Sequence, residues 1–428
     1  MNKLNITFCS FPDYSGNARA LYEYMNKKYK DKMNLSWVIK DDELYKKLKA
    51  KSVNVVKDET DEMKNLMKKT NVFFTTHANL TEYKVQNSDS LYIELWHGVS
   101  PKCVGYLINN MSESDALWMK NINKKIDYFI VPSKFWVPIF SARFNILPER
   151  ILPLGFPLFD NIVNSNGKNN LSKVLNTDIS KYKKIIYYMP TARSGASRDE
   201  NVTVNKINVF NIKKYSDKAL LEFLEKNNYL LCVKYHPSEK ISFNRVESEY
   251  IKYIDENKMK KYKFDTNMLL NAADALITDY SSLGLHYLML EKPVIYLKND
   301  LKDFNDTRGI LFGNFDFWAD DNVAANFDSL ITKIDENLNY PNIERIKQKK
   351  NLLFGSLKNG GCKEICNCIF NNDGQLNNDL KAQKNYEEQL KLENQKTKEE
   401  LRIVNDELIA IKNGRLYKIV SKLKKYMK

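Results

Sequence analysis

The sequence predicts an α/β protein: two Rossmann-like domains facing a cleft, followed by a C-terminal helical tail. Three observations carry this expectation. Short apolar runs alternate with amphipathic, Lys-rich segments through two successive stretches of a 428-residue chain, which is too long for one ordinary core. Those runs are continuously apolar rather than alternating, as expected of parallel strands covered on both faces by helices. The stretch from Leu390 to Lys428 then has no Pro and a single Gly.

In the first domain, assigned residues 1–165, the strand candidates are LNITFCSF, LSWVIK, VNVVK, VFFTTH, LYIELWHG, YFIVPS and ILPLG. Asn- and Ser-rich residues 166–182 read as a polar connection between domains. The second domain, residues 183–372, starts with KKIIYYMP, has a helix from about Ser216, and continues through LLCVKYHP, YKFD, ALITDY and PVIYL. Residues 373–428 form the tail. Leu401, Val404, Leu408 and Ile411 recur there at steps of three and four, the mark of an amphipathic or coiled-coil helix. Past Gly414 the charges are Arg and Lys alone, interleaved with Leu416, Ile419, Val420, Leu423 and Met427. That end suits an anionic membrane surface, and the helix suits pairing of two copies of the chain.

The 67 Lys and Arg against 53 Asp and Glu leave a net charge of +14, which favours a polyanionic partner. Nucleic acid is not expected, because the positive charge is spread over helices and concentrated in the tail and no nucleic-acid module is recognisable. Six cysteines without paired spacing point to free thiols in a reducing compartment, and Cys362, Cys366 and Cys368 lack the spacing or a nearby His for a metal site. The N-terminus turns polar too soon for a signal peptide, and no apolar run approaches the roughly 20 residues that span a bilayer. The expected location is cytoplasmic, peripheral on the inner face of the plasma membrane.

The candidate chemistry sits where strands end. In ALITDYSSLGLHYLML, Thr278, Asp279, Ser281 and Ser282 occupy a strand-to-helix turn, where hydroxyls and free N–H groups can hold an anion; Ser281 as a simple N-cap is the plainer use. Three of the four histidines also fall at or just after strand ends: His97 in LWHGVSP, His236 in KYHP and His77 in FFTTH. A histidine near neutral pKa can take a proton from an attacking hydroxyl, and a second can hydrogen-bond a phosphoryl oxygen. His286 lies on the apolar side of a helix and reads as a core or helix-surface residue. Arg193 in YMPTARSG and Arg308 in NDTRG are placed to neutralise phosphate charge.

Taken together, SGNARALYEYM, LWHGVSPKCVG, VPSKFW, GFPLFD, YMPTARSG, KYHP, ITDYSSLGLHYLMLEKPVIYL and DTRG, in that order over most of residues 4–370, resemble the CDP-glycerol glycerophosphotransferase family of teichoic acid polymerases and primases. The resemblance implies a GT-B fold and transfer of an alditol phosphate, glycerol phosphate first among them, from a CDP-alditol donor to a glycan or polyol phosphate acceptor, releasing CMP. It implies His97 as general base and His236 as the group stabilising the transferred phosphate. Arg193, Thr278, Asp279, Ser281, Ser282, Arg308 and Gly309 would lie on the donor side, and Gly16, Asn17, Gly98 and Lys102 on the acceptor side. Two departures stand out. The family often has H-G-T-P where this chain has His97–Gly98–Val99–Ser100–Pro101, and Asn359 replaces a common Asp. Such a transfer needs a base, cations and N–H groups and no resident cofactor, while leaving room for Mg2+ on the pyrophosphate. The competing enzyme reading is a GT-B glycosyltransferase using a nucleotide sugar in capsule or surface polysaccharide synthesis.

Overall fold

The computed structural model describes residues 3–77, 90–109, 111–123, 125–191, 202–235, 239–242, 245–371, 374–413 and 418. Of the expected site residues, Arg193 and His236 lie outside these.

The first sheet is built from β1 (Leu4–Phe8), β2 (Met33–Ile39), β3 (Val55–Lys57), β4 (Val72–Thr75), β5 (Leu91–Glu94), β6 (Tyr128–Val131) and β7 (Ile151–Pro153). It is wholly parallel, in the order β3-β2-β1-β4-β5-β6-β7. Every residue of β4, β5 and β6 is buried, which is why their sequences show no polar alternation. Phe8 stacks on Trp37 and Phe74 with ring centroids 5.5 and 5.2 Å away, anchoring the sheet to helix Gly16–Tyr29 through Tyr22.

The second series comprises β8 (Lys184–Tyr188), β9 (Val202–Asn205), β10 (Tyr229–Val233), β11 (Glu239–Ser242), β12 (Ile251–Tyr253), β13 (Ala275–Thr278), β14 (Val294–Leu297) and β15 (Val323–Ala324). Six of these form a parallel sheet in the order β12-β10-β8-β13-β14-β15, and β9 pairs with β11 separately. Ile186, Leu231, Ile277, Ile295 and Leu330 are in its buried core. As expected, Ser216 begins a helix, Asp217–Asn227, accepting from the Ala219 N–H. YKFD is not a strand: Lys263 is a left-handed cap closing helix Glu256–Tyr262, and Asp265 caps the next turn. The strand is instead Ile251–Tyr253, whose one fully buried residue, Ile251, leaves too short a pattern to read.

The expected polar connection carries a helix of its own, Gly167–Leu175. Asn166 caps its start, left-handed Asn176 its end, and Leu171 and Val174 are buried. The helix Ile343–Phe354 returns to the first domain. The Leu353 carbonyl accepts from Ser133 Oγ at 2.6 Å and from Trp136 Nε1 at 2.9 Å, joining the two sheets' layers.

Residues 369–371 and 375–428 form a separate unit. It contains the helix Asn378–Asn413, with Leu401, Ile403, Val404 and Ile409 exposed. Gly414 and, apart from Lys418, the basic stretch after it fall outside the described residues. No described helix is long and apolar enough to cross a membrane.

Candidate active site

The His97 turn starts where β5 ends. Trp96 is left-handed (φ 53°) and Gly98 has φ 150°, a conformation that disfavours any side chain. Several groups hold this reversal. Glu94 accepts the Trp96 N–H at 2.8 Å, and Asn17 donates from Nδ2 to the Leu95 and Trp96 carbonyls at 3.0 and 2.9 Å. The Asn17 Oδ1 accepts the Leu158 N–H at 2.9 Å. Asn17, expected on the acceptor side, is therefore buried and committed to shaping the turn. Gly16 (φ 58°) begins the helix that carries it.

The His97 ring is exposed, beside His77 (centroids 4.4 Å apart, 15° between planes) and Trp96 (4.2 Å). Its Nδ1 lies 3.4 Å from the Thr76 carbonyl; donation there leaves the Nε2 lone pair available. Surrounding protein, with the Lys102 and Arg143 cations, pulls its pKa down to about 4 against the Thr76 hydrogen bond. His97 is therefore neutral at pH 7. His77 is also pulled down, by burial and by His97.

The loop after His97 is gripped from the second domain. The Val99 N–H donates to His286 Nε2 at 3.2 Å, Cys103 N–H to the Gly309 carbonyl at 3.0 Å and Leu311 N–H to the Pro101 carbonyl at 2.7 Å. Lys102 and Ile310 form an antiparallel bridge. Arg308, next to Gly309, is thereby brought to the same loop. Gly309 needs to be glycine: φ is +85°, and a Cβ would sit 3.0 Å from the Cys103 Sγ. Beneath the loop, buried Arg143 donates to the Ser100 and Lys102 carbonyls at 3.1 and 2.9 Å. Its burial pulls the guanidinium down to about 10, still charged at neutral pH.

Among the residues expected on the donor side, Thr278 Oγ1 donates to the Met189 carbonyl at 2.6 Å, and the Asp279 Oδ1 accepts the Thr191 N–H at 2.8 Å. Both are buried, and together they fasten the end of YMPT to the end of ITDY. Thr278, expected at the phosphates, thus spends its hydroxyl on the backbone. Ser281 caps helix Ser282–Tyr287 by accepting the Leu283 N–H at 3.3 Å, so the plainer use is present. Both serines remain partly exposed. Beside Asp279 a cavity of about 20 Å³ is lined by Lys206 and Asn299 among others, with Lys206 Nζ 4.9 Å from the Tyr235 ring centroid.

A larger hollow of about 210 Å³, against Tyr296, Asp320 and Arg345, touches none of the expected site residues. Its charges satisfy one another, Arg345 pairing with Asp321 and Lys349 with Asp320, each at 2.7 Å. Among the described residues no group of three or more His, Cys, Asp or Glu could hold a metal ion.

Sequence reasoning missed Glu94, Arg143, Lys206 and the contact made by His286. Only Arg143 leaves a signal, a cation within the apolar helix Trp136–Phe144.

The fold of two parallel α/β sheets is shared with the wall teichoic acid polymerase TagF, whose structure superposes with a TM-score of 0.65 at 22% identity, covering 84% of this chain and 87% of that one. This is the GT-B fold expected from the sequence. The chain is 30% identical over 277 residues to the teichoic acid glycerol-phosphate primase of Bacillus subtilis (strain 168), covering 64% of this chain and 66% of that protein. It is 28% identical over 313 residues to the teichoic acid poly(glycerol phosphate) polymerase of Staphylococcus epidermidis, covering 70% of this chain and 41% of the polymerase. It thus spans less than two thirds of each of these two relatives. Residues 1–371 match one family throughout, and the chain belongs to it: the CDP-glycerol:poly(glycerophosphate) glycerophosphotransferases.

Proposed function

We propose that this chain transfers glycerol phosphate from CDP-glycerol to a hydroxyl of a cell-surface glycan or polymer, releasing CMP. The observation that carries the reading is the neutral His97 at a strand end, held within a loop that the second domain clamps beside Arg308. His97 Nε2 takes the acceptor proton as the hydroxyl oxygen attacks the glycerol-bearing phosphorus. The bond from that phosphorus to the bridging oxygen breaks, and CMP leaves with the electron pair. Nearby cations offset the charge that develops on the phosphoryl oxygens. Arg308 and Lys102 are candidates here, with Arg193 and His236 assigned from their strand-end positions and by resemblance. Ser281 and Ser282 contribute hydroxyls on the donor side. Asp279 acts through the backbone, fixing the segment that leads toward Arg193.

A Mg2+ ion riding on the donor's pyrophosphate would need no carboxylate cluster of the protein, and loss of turnover in EDTA would reveal one. The exposed apolar residues of helix Asn378–Asn413, with the basic stretch after it, support attachment to the inner face of the plasma membrane or pairing of two chains. Deleting residues 412–428 should release the protein from membranes while leaving turnover of a soluble acceptor intact.

The deciding experiment is a donor screen. The purified chain should release CMP from CDP-glycerol in the presence of acceptor, whereas turnover with nucleotide sugars alone would replace this reading with glycosyl transfer.

A further inference from the structure

His286 has no part in the reaction just described, yet it touches the turn that carries the base. It is 2% exposed, within helix Ser282–Tyr287, and meets the Phe159 ring edge-on at 5.4 Å. Its Nε2 accepts the Val99 N–H across 187 residues of sequence. A neutral ring that accepts at Nε2 carries its proton on Nδ1, which is buried and finds no hydrogen-bond partner among the described residues. Burial and the neighbouring His97 hold the ring neutral, with its pKa near 3. The fit is close, since a methyl group on Gly98 would lie 2.6 Å from His286 Cε1.

A leucine or methionine could fill that volume, but it would leave the Val99 N–H without this acceptor, and Val99 itself is fully buried. The turn is therefore held at two points around His97. Glu94, from the first domain, takes the N–H of the residue before it, and His286, from the second, takes the N–H two residues after it. His286 also sits on the same short helix that begins at the donor-side residue Ser282.

We propose that His286 is a positioning residue for His97: through the Val99 N–H, the donor-side domain sets the orientation of the base carried by the acceptor-side domain. The inference rests on the reading of His97 as base. It deepens that reading by making alignment of the base depend on this contact between the two domains.

The test compares His286→Leu with His286→Gln in the full chain. A glutamine amide oxygen reaches about the place of Nε2 and can accept the same N–H; leucine fills the space without an acceptor. Two measurements are made: amide hydrogen exchange of the peptide spanning 95–103, which needs no substrate, and steady-state CMP release from CDP-glycerol. His286→Leu should lose protection in that peptide and drop kcat about 10- to 100-fold, with donor KM within about threefold. His286→Gln should recover both protection and kcat to within about fivefold. Wild-type behaviour of His286→Leu in either measurement overturns the proposal. So does a His286→Gln variant as impaired as His286→Leu, the outcome if only ring volume matters. Should His286→Leu not fold, His286→Met takes its place. If the wild-type chain releases no CMP from CDP-glycerol, the donor reading falls, and the exchange pattern still decides whether His286 holds the turn.

Discussion

The Asp160 carboxylate accepts the Gly360 N–H at 3.0 Å and the Cys362 N–H at 3.2 Å, tying the end of the α/β core to the start of helix Leu158–Asn164. Backbone lies so close here that a Cβ on Gly361 would come within 2.2 Å of the Gly155 carbonyl oxygen. Rigid backbone cannot yield as a flexible side chain can. Gly361→Ala should therefore destabilise the chain by about 2–3 kcal/mol, read as a lower urea midpoint. An unchanged midpoint would mean that this closure is looser than the geometry indicates.

Glu94 offers a prediction of opposite sign. It is fully buried, one carboxylate oxygen has no hydrogen-bond partner among the described residues, and burial raises its pKa well above the ordinary 4.5 despite the Trp96 hydrogen bond. Above about pH 4.5 the unfolded chain releases this proton while the folded chain keeps it, so stability drains away as pH rises toward the folded value. Glu94→Gln keeps an acceptor for Trp96 and has no proton to lose. It should stabilise the chain by about 1–3 kcal/mol at pH 8 and far less at pH 4, with turnover near wild type. Denaturation at the two pH values checks the difference.

What the sequence made legible follows from what each feature depends on. The long buried strands were readable because a parallel strand with helices on both faces must be apolar throughout. Asn166 and Asn176 misled because asparagine serves helix caps as readily as linkers, and here it brackets the helix bearing Leu171 and Val174. At the site, strand-end position marked out His97 and the DYSS turn. It could not separate the partly exposed Ser281 and Ser282 from buried Thr278, whose hydroxyl is turned back to the Met189 carbonyl. The support of His97 was hidden for a different reason. Val99–His286 and Cys103–Gly309 join residues about two hundred positions apart, each through a backbone N–H that any residue but proline carries.

His77 and His286 are both held neutral by burial, below the ordinary 6.5. As pH falls below about 6.5 the unfolded chain gains protons at these two sites and the folded chain does not, so each drains stability on the acid side. His286→Gln removes one such proton. Its stability should fall less steeply than wild type between pH 6 and 4, by up to about 1.4 kcal/mol per pH unit. Parallel pH curves for the two proteins would place the His286 titration elsewhere.

His97 calls for a different measurement, because its ring is exposed and its removal creates no buried cavity. His97→Ala should keep the wild-type unfolding midpoint and bind a CDP donor with an affinity within about threefold of wild type, since a base contributes to the transition state rather than to donor binding. Its turnover should fall by about 10²- to 10⁴-fold, the usual contribution of a positioned general base. The acid limb of the wild-type kcat/KM profile should lie below pH 6.5, because surrounding protein and the cations of Lys102 and Arg143 disfavour the imidazolium form. Near-normal turnover in His97→Ala would remove the base from this histidine, and His77, stacked 4.4 Å away, would be the next residue to replace.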